Sequence, residues 1–508
     1  MNLPPHLDLL RNEIRDAAAD YGLDFFDTVF ELIAARDMNM IGSYGGFPTR
    51  YPHWRFGMEF ERMRKTHVYG LGKIYEMVIN NDPCYAYLLR SNSLVDQKLV
   101  MAHVYAHSDF FKNNMWFGRT NRKMIDEMAN HGSRVRAHID AHGLEAVEAF
   151  MDRAFSLDNL IDRHSPFVRR KDRKRPRTEV PSPHREPPPR LKSKAYMEEF
   201  INPPEVLAER KRVMDEEQER EKCFPPEPEA DILLFLAEHS PLEAWQRDIL
   251  QIVREEAYYF LPQAQTKIVN EGWAAYWHSR IMTERALSDP EVVEYAEHHA
   301  GTVAPSPGRL NPYKLGMELF RDIEERWDTG RFGPEYERCD DAEARRAWDR
   351  KLGGGREKIF EVRRVYNDIT FLDAFLTDAF CEAQKLYTYR LNPSTGAYEI
   401  ANRDFEAIRR ALLARLTNCG QPRIQVVDGN YANRGELYLR HAFEGMELAL
   451  DRARDTLENA QAVWGRPVHL ETASGGSGLV LSFDGTEHTE AKKELEDADR
   501  DAVEAAEG

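Results

Sequence analysis

Two histidines, His103 and His107, stand four apart in VMAHVYAHSDFFKNN (100–114), a stretch whose apolar residues recur at helical spacing. Four residues is little more than one helical turn, so both imidazoles project from one face and can meet at one point. Leu99, Ala106 and Phe110 share that face. The rings are therefore expected to be buried, and a buried neutral imidazole needs a partner for each nitrogen. A second constellation lies downstream, where REEAYYFLPQAQTKIVNEGWAAYWHSRIM (254–282) sets Glu271 and His278 seven apart, two turns along nearly one face. Trp273, Tyr276 and Trp277 would shield Glu271 from water, and a shielded carboxylate is costly unless it is paired or metal-bound. Together His103, His107 and Glu271 make a three-ligand open site for a divalent metal, zinc first. His278 is then a fourth ligand, an orienting partner or a proton acceptor. A hydrogen-bonded His–Glu core without an ion demands the same burial and pairing and stays open as an alternative.

The four-residue spacing matches the H-E-x-x-H arrangement of zinc hydrolases, in which a glutamate beside the first histidine polarises a bound water. Here that slot is Val104. A hydrolase would need another base, for which Glu76, Glu256 and His278 are the candidates. EGWAAYWH is similar to the E-G-W-A-x-Y-x-E segment that delivers the downstream glutamate ligand in a group of helical zinc peptidases, with His278 where their last glutamate stands. Glu294, Glu297, His298 and His299 in EYAEHHAG form no Glu-x-x-His pair, which disfavours a ferritin-like di-iron bundle, and His298–His299 reads as a surface pair. KLGGGREK (351–358) lacks the strand and the Lys-Ser/Thr of a phosphate loop and reads as a turn.

The elements that must position these residues are mostly helical. Residues 6–165 carry apolar positions at three and four throughout, interrupted at SYGGFPTRYPHWRFG (43–57). Helical periodicity returns over 231–400. The segment 166–230 is charged and proline-rich and reads as a linker, with one solvated helix at 205–222. From 401 to 485, RIQVVDG, GELYLRHAFEG, RPVHLETA and GLVLSFDG alternate as strands around an amphipathic helix at 445–463, and 486–508 reads as an acidic disordered tail. The expected fold is thus mainly α, a large helical body with a small C-terminal α+β module.

Composition narrows the function. The 508 residues are 42% apolar, ample for sizeable cores, and carry a net charge of −17, which opposes general binding to nucleic acid or an anionic membrane. A basic cluster, Arg169 to Arg177, has no interleaved aromatics and reads as solvated linker charge. Five scattered cysteines form no C-x-x-C pair, so a metal would rest on His and carboxylate. No apolar run is long enough to span a membrane, and MNLPPHLDLLRNEIRD is unlike a signal peptide, so the cytoplasm is the expected location.

YPHWRFG, KIYEMVINNDPCYAYL, AHVYAHSDFFKNN, the block LEAWQRDILQ to WHSRIM, LNPYKLGMELFRDIEERW and GELYLRHAFEGMEL together resemble the SpoVR family, the stage V sporulation protein R-like proteins, from about residue 10 to 475. The resemblance implies a cytoplasmic protein that supports spore cortex formation, or a stress or stationary-phase role where no spores form. It also implies a PrkA-type serine kinase or other stress or sporulation proteins as partners. It brings no settled chemistry. The basic linker and acidic tail depart from the family core, and in an organism without spores the cortex role cannot transfer literally. Three readings follow: a metal-dependent hydrolase acting on peptide or amide bonds, a non-catalytic regulatory or scaffold protein whose His/Glu cluster is structural, and, least favoured by charge, a nucleic-acid-binding regulator.

Overall fold

A computed structural model describes residues 3–68, 76–168, 224–304 and 310–495, together with isolated positions between 203 and 212. The basic cluster at 169–177 and most of the expected linker lie outside the described residues. The chain is mainly α with a C-terminal five-stranded sheet. It divides into two compact units, one of residues 1–148 and 258–420, the other of 149–257 and 421–508.

The first unit is built on two buried helices. Leu94–Asn113 is opened by a capping box, in which the Ser93 hydroxyl accepts the Asp96 N–H and the Asp96 carboxylate accepts the Ser93 N–H. It is buried on nearly every side from Val95 to Phe111, so its polar residues must all find partners inside the protein. The second helix, Lys267–Ile281, has no capping bond from its own N-cap residue Thr266. Asp368 supplies one instead, its carboxylate accepting the Ile268 and Val269 N–H groups at 3.0 and 2.9 Å. These two helices pack against each other, and Lys267–Ile281 is backed on its other side by Pro312–Thr329. Trp273, Trp277, Phe320 and Phe371 fill the core between them, with Val104, Ala106 and Phe110 from the first helix.

Residues 6–165 are not helical throughout. A three-stranded sheet of β1 (Thr28–Ile33), β2 (Glu76–Ile79) and β3 (Cys84–Leu89) lies among the helices, in the order β1-β3-β2, with β1 parallel and β2 antiparallel to β3. Strand β3 is buried on both faces: Ala86 and Leu88 join the main core, while Tyr87 and Leu89 join a cluster with Met38, Ile41 and Phe47. A strand buried on both sides loses its polar alternation and reads as a plain apolar run. The KLGGGREK turn runs into the helix Gly355–Val365, and a β-hairpin of β4 (Thr388–Leu391) and β5 (Tyr398–Asn402) follows later.

The second unit carries a sheet of β6 (Ile424–Tyr431), β7 (Glu436–His441), β8 (Val468–Ser474), β9 (Ser477–Phe483) and β10 (His488–Lys493), ordered β10-β9-β8-β7-β6. Only β7 and β8 pair in parallel, and the helix Leu450–Trp464 between them makes the crossover such a pair requires. Its inner face is Ala453, Leu457, Ala460, Val463 and Trp464, the last stacked on Phe235 at 5.7 Å. Strand β10 falls in the stretch read as an acidic tail, and residues 496–508 lie outside the described residues.

Candidate metal centre

The two long buried helices of the first unit bring His103, His107 and Glu271 to one point. The Nε2 atoms of the two histidines are 3.0 Å apart, and Glu271 Oε2 lies 3.6 Å from the first and 3.5 Å from the second. A point equidistant from these three atoms is about 2.0 Å from each, which is the length of a zinc bond to imidazole nitrogen or carboxylate oxygen. Both rings are buried. Glu271 Oε2 is buried too and makes no hydrogen bond, although a fifth of the side chain remains open to solvent. A buried carboxylate oxygen without a donor is the kind of atom a cation satisfies.

Behind the donors stands a layer of orienting contacts. His107 Nδ1 meets Asn270 Oδ1 at 3.0 Å, and His103 Nδ1 meets His278 Nδ1 at 2.9 Å. Because Nδ1 and Nε2 lie on opposite sides of the ring, His278 approaches His103 from the side away from Glu271, the position of an outer partner. The far nitrogen of His278 reaches His299 Nδ1 at 3.4 Å. Tyr313 stacks on His103, and Phe111 stacks on His107. The two helices are also bolted together beyond the site, where Asp109 accepts the Trp273 indole N–H at 2.9 Å and pairs with Arg363 at 3.2 Å.

The electrostatics follow from this layout. Burial pushes the Glu271 carboxyl up, but the His103 and His107 imidazoles facing it outweigh burial and hold the group below the usual carboxylate range. Burial, then the neighbouring His103 and His299, drive the His278 imidazole well below its ordinary value, so it is neutral. Burial lifts Asp109 to about 7 against the opposing pull of Arg363.

Of the residues singled out in the sequence, His103, His107, Glu271 and His278 come together. Glu76 opens strand β2 opposite Leu88, and Glu256 is a buried residue of the second unit. His298 and His299 are both half-buried rather than a surface pair: His298 sits 2.6 Å from Asp96, and His299 stacks on Tyr295 beside His278. Asn270 and Asp109 were not foreseen. Asn270 had one local sign, its place directly before the candidate ligand Glu271 in VNEGW. A second group among the described residues, Glu127 and His131, pairs across one helical turn at 3.4 Å.

Comparison with known proteins agrees with the resemblance read from the blocks. The family described as "SpoVR like protein" matches residues 3–421, and the "SpoVR-like C-terminal domain" matches 422–475. A curated relative, "Uncharacterized protein YcgB" of Escherichia coli (strain K12), is 29% identical over 503 residues, covering 94% of this chain and 93% of that protein. No solved structure matches. The chain belongs to the SpoVR family. Among the described residues no helix is long and apolar enough to cross a membrane.

Proposed function

We propose that this SpoVR-family protein is a metal-dependent enzyme of hydrolase type, with His103, His107 and Glu271 holding a divalent ion, zinc first. One observation carries the reading: three donor atoms from two helices, mutually 3.0 to 3.6 Å apart, with the carboxylate oxygen buried and lacking a hydrogen bond. Three protein ligands leave a position free, as catalytic rather than structural zinc sites do. An ion held there would polarise a carbonyl or activate water. Within this reading the chain's own residues have distinct tasks. His107 is oriented by Asn270 and His103 by His278, while the exposed part of Glu271 marks the side on which water and substrate enter. The substrate class is a peptide or amide bond, in a cell-wall precursor where spores form, and the cellular role is cortex or envelope formation or a stress response.

A second reading has one feature in its favour. The slot that carries the general base in H-E-x-x-H enzymes is Val104, fully buried in the apolar core. On that reading the ion is structural and the protein is a scaffold or regulator that works with a PrkA-type serine kinase.

Metal analysis of the purified protein tests the first claim. One ion per chain is expected in the wild type, lost in His103→Ala and Glu271→Ala; a metal-free protein of equal stability would leave only a hydrogen-bonded core. In a strain lacking the protein, full complementation by His103→Ala would remove catalysis at this site and leave the scaffold reading.

A further inference from the structure

We propose that His278 and His299 are positioning residues for this centre, and that an ion at His103 reverses the direction of the hydrogen-bond chain that ends on His299. The inference rests on the metal reading above. It starts at Asn270, whose carbonyl oxygen can only accept, so His107 carries its proton on Nδ1 and presents a bare Nε2. Without an ion, the 3.0 Å between the Nε2 atoms of His107 and His103 must contain a proton, because two facing lone pairs repel. Only His103 can supply it. Its Nδ1 is then bare and accepts from His278 Nδ1–H across 2.9 Å, and His278 Nε2 accepts from His299 Nδ1–H across 3.4 Å.

With an ion bound, His103 must turn a bare Nε2 towards it. Its proton then sits on Nδ1 and is donated to His278 Nδ1, so His278 carries its own proton on Nε2 and donates it to His299 Nδ1. The ion takes the place of the His103–His107 bond, while the His103–His278 and His278–His299 bonds survive and each now points the other way. The protons balance. One leaves His103 Nε2 for solvent as the ion enters, one shifts inward along each link, and one is taken from water at His299 Nε2, so all four rings stay neutral.

The outer end of the chain lies on a different element from the ligands. His299 belongs to the helix Val292–Thr302, which also holds His298 against Asp96 at 2.6 Å, while Lys98 and Glu291 pair at 2.7 Å just before it. Val292 and Val293 on this helix face solvent. The occupancy of a buried site is thereby read at a half-buried residue on an outward-facing helix.

The test uses the full-length protein, stripped with chelator and labelled with ¹⁵N-histidine, without and with zinc chloride; His299 is assigned from the resonances missing in His299→Gln. The expected result is His299 protonated on Nδ1 without zinc and on Nε2 with it. His278→Phe should weaken zinc binding about 10- to 100-fold. His278→Asn, whose side-chain oxygen can take the His103 Nδ1–H, should restore most of the affinity while His299 no longer responds. The inference is overturned if zinc binds and His299 keeps one tautomer, or if His278→Phe binds zinc as tightly as the wild type. Should His278→Phe fail to fold, the wild-type His299 tautomer decides alone. A wild type that binds no zinc at all overturns the parent reading and this one with it.

Discussion

Gly272, next to the proposed ligand Glu271, lies so close to Gly316 that a Cβ placed on Gly272 would sit 2.4 Å from the Gly316 backbone. The reciprocal Cβ on Gly316 would meet the Ile268 carbonyl oxygen at 2.2 Å. Both contacts are with backbone, which cannot rotate away as a side chain can. The helices Lys267–Ile281 and Pro312–Thr329 therefore cross with no room for a methyl group, and this crossing sets how deep Glu271 sits. Gly316→Ala, in a helix that carries no ligand, should cost about 3 kcal/mol or more, at the upper end of overpacking penalties. Urea melts should show the loss, and the surviving folded fraction should bind zinc more weakly than the wild type. Wild-type stability and affinity would mean that the helices can part without moving Glu271.

Asp368 offers a gentler displacement of the same helix. It accepts two N–H groups that the helix start would otherwise leave unsatisfied in a buried setting, at 3.0 and 2.9 Å. Asp368→Ala should destabilise by about 1–2 kcal/mol, the usual worth of a lost cap. Asp368→Asn retains an acceptor oxygen and should recover most of that in the same thermal melts.

Zinc itself should act as a stabiliser. A ligand that binds only the folded state at a hundred times its dissociation constant adds about 2.7 kcal/mol. Wild-type protein should therefore melt several degrees higher with zinc than with chelator, and His107→Ala should show one melting temperature in both. A zinc shift that persists in His107→Ala would place the binding somewhere else.

Much of this centre could be read from residue types and spacing, because buried helices force their few polar residues into partnerships. His103, His107, Glu271 and His278 declared themselves as polar residues on apolar faces. Asp109 and Asp368 did not, since each is defined by a partner more than 90 positions away, Trp273 or Ile268, and no local pattern encodes such a pairing. His299 was visible but read as exposed, because it stands among Glu294, Glu297 and His298, and only Tyr295 on its helix is buried. The strands β1 to β3 were missed for another reason. TVFELI and CYAYLL are short apolar runs that fit a helix or a strand equally, and the parallel pairing of β1 with β3 spans more than 50 residues.

In the second unit, His441 is buried on β7 with Nδ1 at 3.0 Å from Thr472 Oγ1, and burial alone holds its imidazole down to about 4. Its folded value lies below the unfolded one, near 6.5, so between these values the unfolded chain binds a proton that the folded chain refuses. Stability from this residue is present above about pH 6.5 and is lost as the pH falls towards 4, by up to about 3 kcal/mol. His441→Gln should flatten that part of the pH–stability profile measured by denaturant unfolding. An unchanged acid slope would mean that the ring takes up its proton in the folded state.

The last prediction concerns the missing base. In H-E-x-x-H enzymes the glutamate after the first histidine faces the ion, and by that pattern alone placing one here would create an active hydrolase. The geometry argues otherwise, because Val104 is wholly buried and belongs to the same core as Phe110, Trp273 and Phe320. A carboxylate placed there would lose its hydration with no partner in view and would cost several kcal/mol, or take up a proton and cease to be a base. Val104→Glu should therefore melt far below the wild type and gain no zinc-dependent cleavage of an amide reporter, whereas Val104→Ile should fold and keep the metal. A Val104→Glu variant that folds normally and gains metal-dependent amidase activity would show that position 104 reaches the ion and that a carboxylate there can serve as the base.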